Sequence, residues 1–114
     1  MPGDRVGLGW RPELAGGIFA HLDRIEILEL IADDHYQAPA PSLRPLRLLA
    51  SQCPLYLHGV GMGLAGSAEP EVWRLEAMAR LMEATGAHAW SEHLAFVRAG
   101  SWQVGHLAAP PRTA

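Results

Sequence analysis

The sequence predicts an α/β fold built on a parallel sheet, and three observations carry that expectation. Short apolar runs alternate with stretches at helical spacing in the order β-α-β-α-β-α-β, the pattern that right-handed crossovers turn into a parallel sheet. Two of the runs, Leu55-Tyr56-Leu57-His58-Gly59-Val60-Gly61 and Ala89-Trp90-Ser91-Glu92-His93-Leu94, have one shape: an apolar strand with a histidine near its end. The chain of 114 residues, 49% hydrophobic and 18% charged, has the size of one domain and enough apolar side chains for a core.

Val6-Gly7-Leu8-Gly9-Trp10 reads as the first strand, with glycines that leave room for close packing. Pro12 suits the first turn of a helix over residues 12–22, which Gly16-Gly17 weaken. Residues 24–32 form the clearest strand, rich in Ile and Leu, with Glu26 and Glu29 embedded. Glu26 suits a solvated face, whereas Glu29, nearer the strand end, is placed to face a polar centre. Asp33-Asp34-His35-Tyr36 and a proline-rich loop over 37–41 follow. Ser42 is expected to cap a second helix that tolerates Pro45 and carries Leu43, Leu46, Leu48 and Leu49 to about Gln52. The single cysteine, Cys53, precedes Pro54 and reads as a buried structural residue.

After the strand to His58 and a glycine-rich loop, Ser67 is the expected N-cap of a third helix. Glu69 and Glu71 then sit at the positive end of its dipole. Val72, Leu75, Met78, Ala79 and Met82 mark its apolar face, and Gly86 stops it. Residues 87–96 are the fourth strand and its exit. Residues 97–114 read as loop or as a small hairpin around Gly100-Ser101, ending in Pro110-Pro111.

Several function classes drop out. The net charge is −3, all nine basic residues are arginine, and they form no stripe, so nucleic acid is not an expected partner. The first ten residues hold no apolar run long enough for a signal peptide or a membrane span, which points to the cytoplasm and away from a membrane. Gly59-Val60-Gly61-Met62-Gly63 lacks both the phosphate-loop lysine and the full dinucleotide fingerprint, and no Gly-x-Ser-x-Gly elbow occurs. Ser91, Glu92 and His93 are not a triad, because adjacent strand residues point to opposite faces.

What remains is the pair of strand-end histidines. A single strand histidine is usually a hydrogen-bonded core residue. Two at the same end of a parallel sheet can meet on one rim, and imidazoles with nearby carboxylates suit iron, manganese or zinc. His58 and His93 are therefore the candidate metal ligands. Glu92, on the opposite face from an inward His93, is placed as an outer partner. His106 could reach the rim from beyond the last strand, although a plain surface histidine explains it as well. Asp33 either starts a loop or holds a ligand histidine through its second nitrogen. His21, His35 and His88 flank elements and are expected at the surface.

These same residues resemble a family. Val6-Gly-Leu-Gly-Trp-Arg-Pro-Glu13, Leu28-Glu-Leu-Ile-Ala-Asp33, Leu57-His-Gly-Val-Gly61, Ser91-Glu-His-Leu94 and Gly105-His-Leu107 follow the order seen in the MbnB/TglH-like multinuclear non-haem iron enzymes, and they match the N-terminal part of that family. The resemblance implies a TIM (β/α)8 barrel, of which residues 1–114 would be about the first four strands and three helices of a single incomplete domain. It implies two or three iron ions at the C-terminal rim, with His58 and His93 among the ligands and O2 as co-substrate. It further implies a ribosomally made peptide whose cysteine is oxidatively modified, and a partner protein that holds the peptide. A TIM barrel takes about 250 residues, so this chain is expected to be a fragment, inactive alone and lacking a C-terminal half-barrel. A two-metal isomerase or hydrolase on a similar barrel, with metal-activated water, is the rival enzyme. A truncated, non-catalytic binding module is the rival without catalysis.

Overall fold

The computed structural model describes residues 3–110 and 112; Pro111, where the proline-rich end was expected to continue, lies outside the described residues. Four strands, β1 (Gly7–Gly9), β2 (Ile27–Ile31), β3 (Leu55–Gly59) and β4 (Ala89–Glu92), form one sheet in the order β1-β2-β3-β4. Every neighbouring pair is parallel. Three helices connect them: α1 (Ala15–Ala20), α2 (Arg44–Gln52) and α3 (Val72–Thr85). The fold is α/β and corresponds to part of a TIM-type barrel; the sheet does not close. A separate antiparallel hairpin of β5 (Phe96–Ala99) and β6 (Trp102–Ala108) follows, turning at Gly100-Ser101 as expected.

Strand alternation explains where the core lies. Leu28 and Leu30 of β2 and Leu55 and Leu57 of β3 point to one face and are fully buried. There they join Ile18 of α1, Leu46 and Leu49 of α2, and Met78 and Leu81 of α3 in one cluster. Each buried leucine contributes about 1.5–3 kcal/mol relative to exposure. The intervening residues, Glu29, Tyr56, His58 and Ser91, occupy the other face, which carries no helix layer. Cys53 is buried in the same core, and burial raises its thiol pKa, in keeping with an inert structural cysteine.

Four local expectations need correction. The first helix is broken: a 3-10 turn over Pro12–Leu14 precedes α1 and another over Leu22–Arg24 follows it. The glycine pair and Pro12 leave too little helix propensity for one continuous rod. Ser42 does not cap α2; its hydroxyl donates to the Pro39 carbonyl at 2.7 Å inside a 3-10 turn, Ala40–Leu43. Nor does Ser67 cap α3, which starts five residues later, after Glu71. The buried face of α3 is Ala77, Met78, Leu81 and Thr85, while Val72 and Leu75 are exposed. Gly86 does end the helix, in the left-handed conformation at φ 71° that favours glycine.

Candidate metal centre at the sheet rim

The register between β3 and β4 sets His58 opposite Ser91 and Gly59 opposite Glu92. In a parallel ladder, opposite residues share a face. The His58 Nδ1 accordingly lies 2.8 Å from the Ser91 hydroxyl, and Nε2 has no hydrogen-bond partner among the described residues. His93 lies two residues beyond Ser91 and returns to the same face. Its backbone N–H donates to the Gly59 carbonyl at 2.8 Å, continuing the ladder past the end of β4. The His58 and His93 rings stand edge-to-face, with centroids 6.1 Å apart and planes at 89°. Two imidazoles on one ion, each bonded at about 2.0–2.1 Å, place their ring centres roughly 4.5–6.5 Å apart; the observed separation falls toward the wide-angle end of that span.

The other candidates do not complete the set. Among the described residues, no group of three or more His, Cys, Asp and Glu side chains comes together in a way that could hold an ion. Glu29 lies on the same face as His58 but pairs with Tyr56, one step further from the rim. His106 is an exposed residue of β6 in the hairpin. The rim thus brings two imidazoles together without a third candidate ligand among the described residues.

Asp33 and Glu92 have another task. The Asp33 carboxylate accepts the N–H groups of Val60 at 2.8 Å and Gly61 at 3.1 Å, and Arg74 stands 3.5 Å from it. It therefore holds the loop after His58, not the imidazole itself. Glu92 turns to the face away from His93, where its Oε2 accepts the Met62 N–H at 3.2 Å. Burial raises the pKa of this carboxyl, with the Met62 hydrogen bond opposing and the nearby Asp33 charge reinforcing the shift. Arg98 of β5 closes the clamp by donating to the carbonyls of Gly61 and, at 3.2 Å, Met62. Glu71 links Arg74 and Arg98, with 3.0 Å and 3.4 Å contacts. Tyr36 lies alongside; its buried hydroxyl has no hydrogen-bond partner among the described residues, and burial, then the Asp33 and Glu92 charges, push its pKa up.

The clamp accounts for the glycines. A Cβ at Gly59 would run into the Glu92 carboxylate, and one at Gly61 would come within 2.6 Å of both Arg74 Nη1 and Asp33 Oδ2. The loop is glycine-rich because charged side chains close on its backbone, a role unrelated to phosphate. Sequence reasoning missed Ser91 as the partner of His58, and it missed Glu71, Arg74 and Arg98. Only the i,i+3 spacing of Glu71 and Arg74 left a readable signal. His35 also departs from expectation: it is half-buried, and burial lowers its pKa against the opposing Asp34 charge. No helix among the described residues is long and apolar enough to cross a membrane.

Residues 5–114 match the family model described as "RiPP precursor modification enzyme MbnB/TglH/ChrH". A "UPF0276 protein" of Streptomyces avermitilis is 38% identical over 95% of this chain and 23% of its own length. One of Chromobacterium violaceum is 34% identical over 98% of this chain and 36% of its own. One of Caulobacter vibrioides is 31% identical over 80% of this chain and 32% of its own. The chain therefore spans between about a quarter and a third of these relatives.

Proposed function

The chain belongs to the MbnB/TglH/ChrH family of RiPP precursor modification enzymes, and from that premise we propose that residues 1–114 are the N-terminal part of one TIM-barrel domain that oxidatively modifies cysteine in a ribosomally made peptide. In this reading His58 and His93 hold iron, and the remaining ligands come from a C-terminal half-barrel. A separate protein presents the peptide. Bound iron would supply O2 activation and a Lewis acid for the substrate thiolate.

This chain's own residues do three things. His58 and His93 offer two imidazoles from one sheet face. Asp33, Glu92 and Arg98 fix the loop over residues 59–62, so His58 sits at the end of a strand whose exit cannot drift. The face without a helix layer, lined by Glu29, Tyr56, His58 and Ser91, becomes the barrel interior once the sheet closes, and closure would exclude water from the pair.

The observation that carries this reading is the 6.1 Å approach of the two rings. It is tested by anaerobic equilibrium dialysis of ferrous iron against the chain and three variants. Weak binding is expected in the parent and in His106→Ala, with loss in His58→Ala and in His93→Ala. Equal binding by all four proteins would contradict the assignment. Supplied with O2 and a cysteine peptide, the chain alone is expected to give no product; turnover would show that no further half is needed.

A further inference from the structure

His93 is the last residue that the ladder between β3 and β4 holds. Its N–H reaches the Gly59 carbonyl, and the chain then leaves the sheet for the hairpin that starts at Phe96. The C-terminal side of His93 is therefore fixed by the segment that follows it, and that segment is fastened to the loop after His58. Ala95 is fully buried, and its carbonyl accepts the Ala65 N–H at 3.1 Å. Val97 is buried too. The Arg98 side chain, only 11% exposed, reaches back to the carbonyls of Gly61 and Met62. Gly63 leaves room for this return: a Cβ there would stand 2.9 Å from Val97 Cγ2 and 3.0 Å from Arg98 Nη1. The Met62 backbone is thus gripped from both sides of His93 in sequence, its N–H by Glu92 and its carbonyl by Arg98.

We propose that Arg98 is a positioning residue for His93: by tying the base of the hairpin to the backbone of residues 61 and 62, it fixes the direction in which the chain leaves His93 and so the approach of the second imidazole to the first. A guanidinium donates only and a carbonyl accepts only, so both bonds have a settled direction. The planar fork of donors meets two successive carbonyls, which fixes the orientation of the side chain as well as its distance. Glu71, 3.4 Å from Nε, faces its charge. The ladder bond to Gly59 sets the height of His93 on the rim, and the anchors at residues 95 and 98 set its backbone rotation. Among the described residues no hydrogen bond or ion pair joins Arg98 to either ring, so Arg98 acts through His93 and holds no cation itself. This inference rests on the reading of His93 as a ligand, but it concerns the metal-free chain and can fail separately.

The test is the nuclear Overhauser contact between the His58 and His93 rings in the metal-free chain, which their edge-to-face approach brings into range. Arg98→Met keeps the aliphatic stem and removes the donors. Arg98→Lys keeps the charge and replaces the fork by a point donor. Ile18→Val trims the core beside α1 and reports what a loss of stability does alone. The contact is expected in the parent and in Ile18→Val, weakened in Arg98→Lys and lost in Arg98→Met, with ferrous iron binding about tenfold weaker in Arg98→Met. An unchanged contact in Arg98→Met, or an equal loss in Ile18→Val, overturns the proposal. Should Arg98→Met fail to fold, Arg98→Lys decides: a weakened contact supports the positioning role and an unchanged one overturns it. If the parent binds no iron while the contact still depends on Arg98, the metal assignment fails and the positioning role stands.

Discussion

Around His58, charged side chains hold the backbone at successive residues. Asp33 takes the amides of Val60 and Gly61, Glu92 takes that of Met62, and Arg98 takes two carbonyls. At the opposite edge of the same sheet, β1 is held by its ladder to β2 and by Glu26, whose carboxylate accepts the Val6 N–H at 2.8 Å. Val6 is 73% exposed and Leu8 50%, and Leu14 also stands open to solvent. The contrast teaches that this sheet spends its polar interactions on orientation at one rim and leaves an apolar margin at its edge. A similar margin follows β4, where Leu64, Leu75 and Trp90 line a groove. In a closed barrel both margins would be covered by neighbouring units.

Substitutions can break or sharpen this comparison. The largest effect is expected from Gly61→Val, whose side chain would enter the Asp33–Arg74 contact. A loss of about 3 kcal/mol in urea unfolding is expected, and a loss below 1 kcal/mol would mean that the clamp yields easily. Asp33→Ala comes next, at about 2 kcal/mol, because two part-buried amides lose a charged acceptor. Glu26→Ala at the other edge should cost less, since its single bond is exposed; equal losses at the two sites would erase the distinction.

A pH effect ranks third. Burial holds the His35 pKa below its ordinary value of 6.5. The unfolded chain therefore binds this proton more readily, so His35 favours the fold above pH 6.5 and loses that contribution as pH falls below it. His35→Gln should flatten the stability profile between about pH 7 and 5, as read by thermal unfolding. The smallest effect is expected at the margin: Leu8→Ser should change stability by less than about 0.5 kcal/mol. A loss of 2 kcal/mol there would show that β1 is packed as firmly as the rim.

Much of the frame was legible. The strands at Leu28 and Leu57, the hairpin at Gly100 and the stop at Gly86 follow from local pattern and turn chemistry. The two strand-end histidines were visible for the same reason, since parallel strands of equal phase end on one rim. What failed was nonlocal. Ser91 meets His58 through a register between residues 33 positions apart, which no local pattern encodes. The reason for the glycines after His58 was equally hidden, because the carboxylates and arginines that close on that loop come from the turn after β2, from α3 and the residue before it, and from β4 and β5. The face of α3 was misplaced because Thr85 can be buried: its hydroxyl donates to the Leu81 carbonyl at 2.8 Å within the helix. Val72 and Leu75 were read as core, yet they lie toward the edge of a sheet that stops at β4.

The central claim is that His58 and His93 converge on one cation. The most direct measurement is a cobalt(II) titration of the metal-free chain, followed through the ring signals of each histidine. Broadening or shifting of His58 and His93 with one shared midpoint, while His21 and His88 stay in place, is the expected result. Two separate midpoints, or a response from only one of the pair, would contradict it.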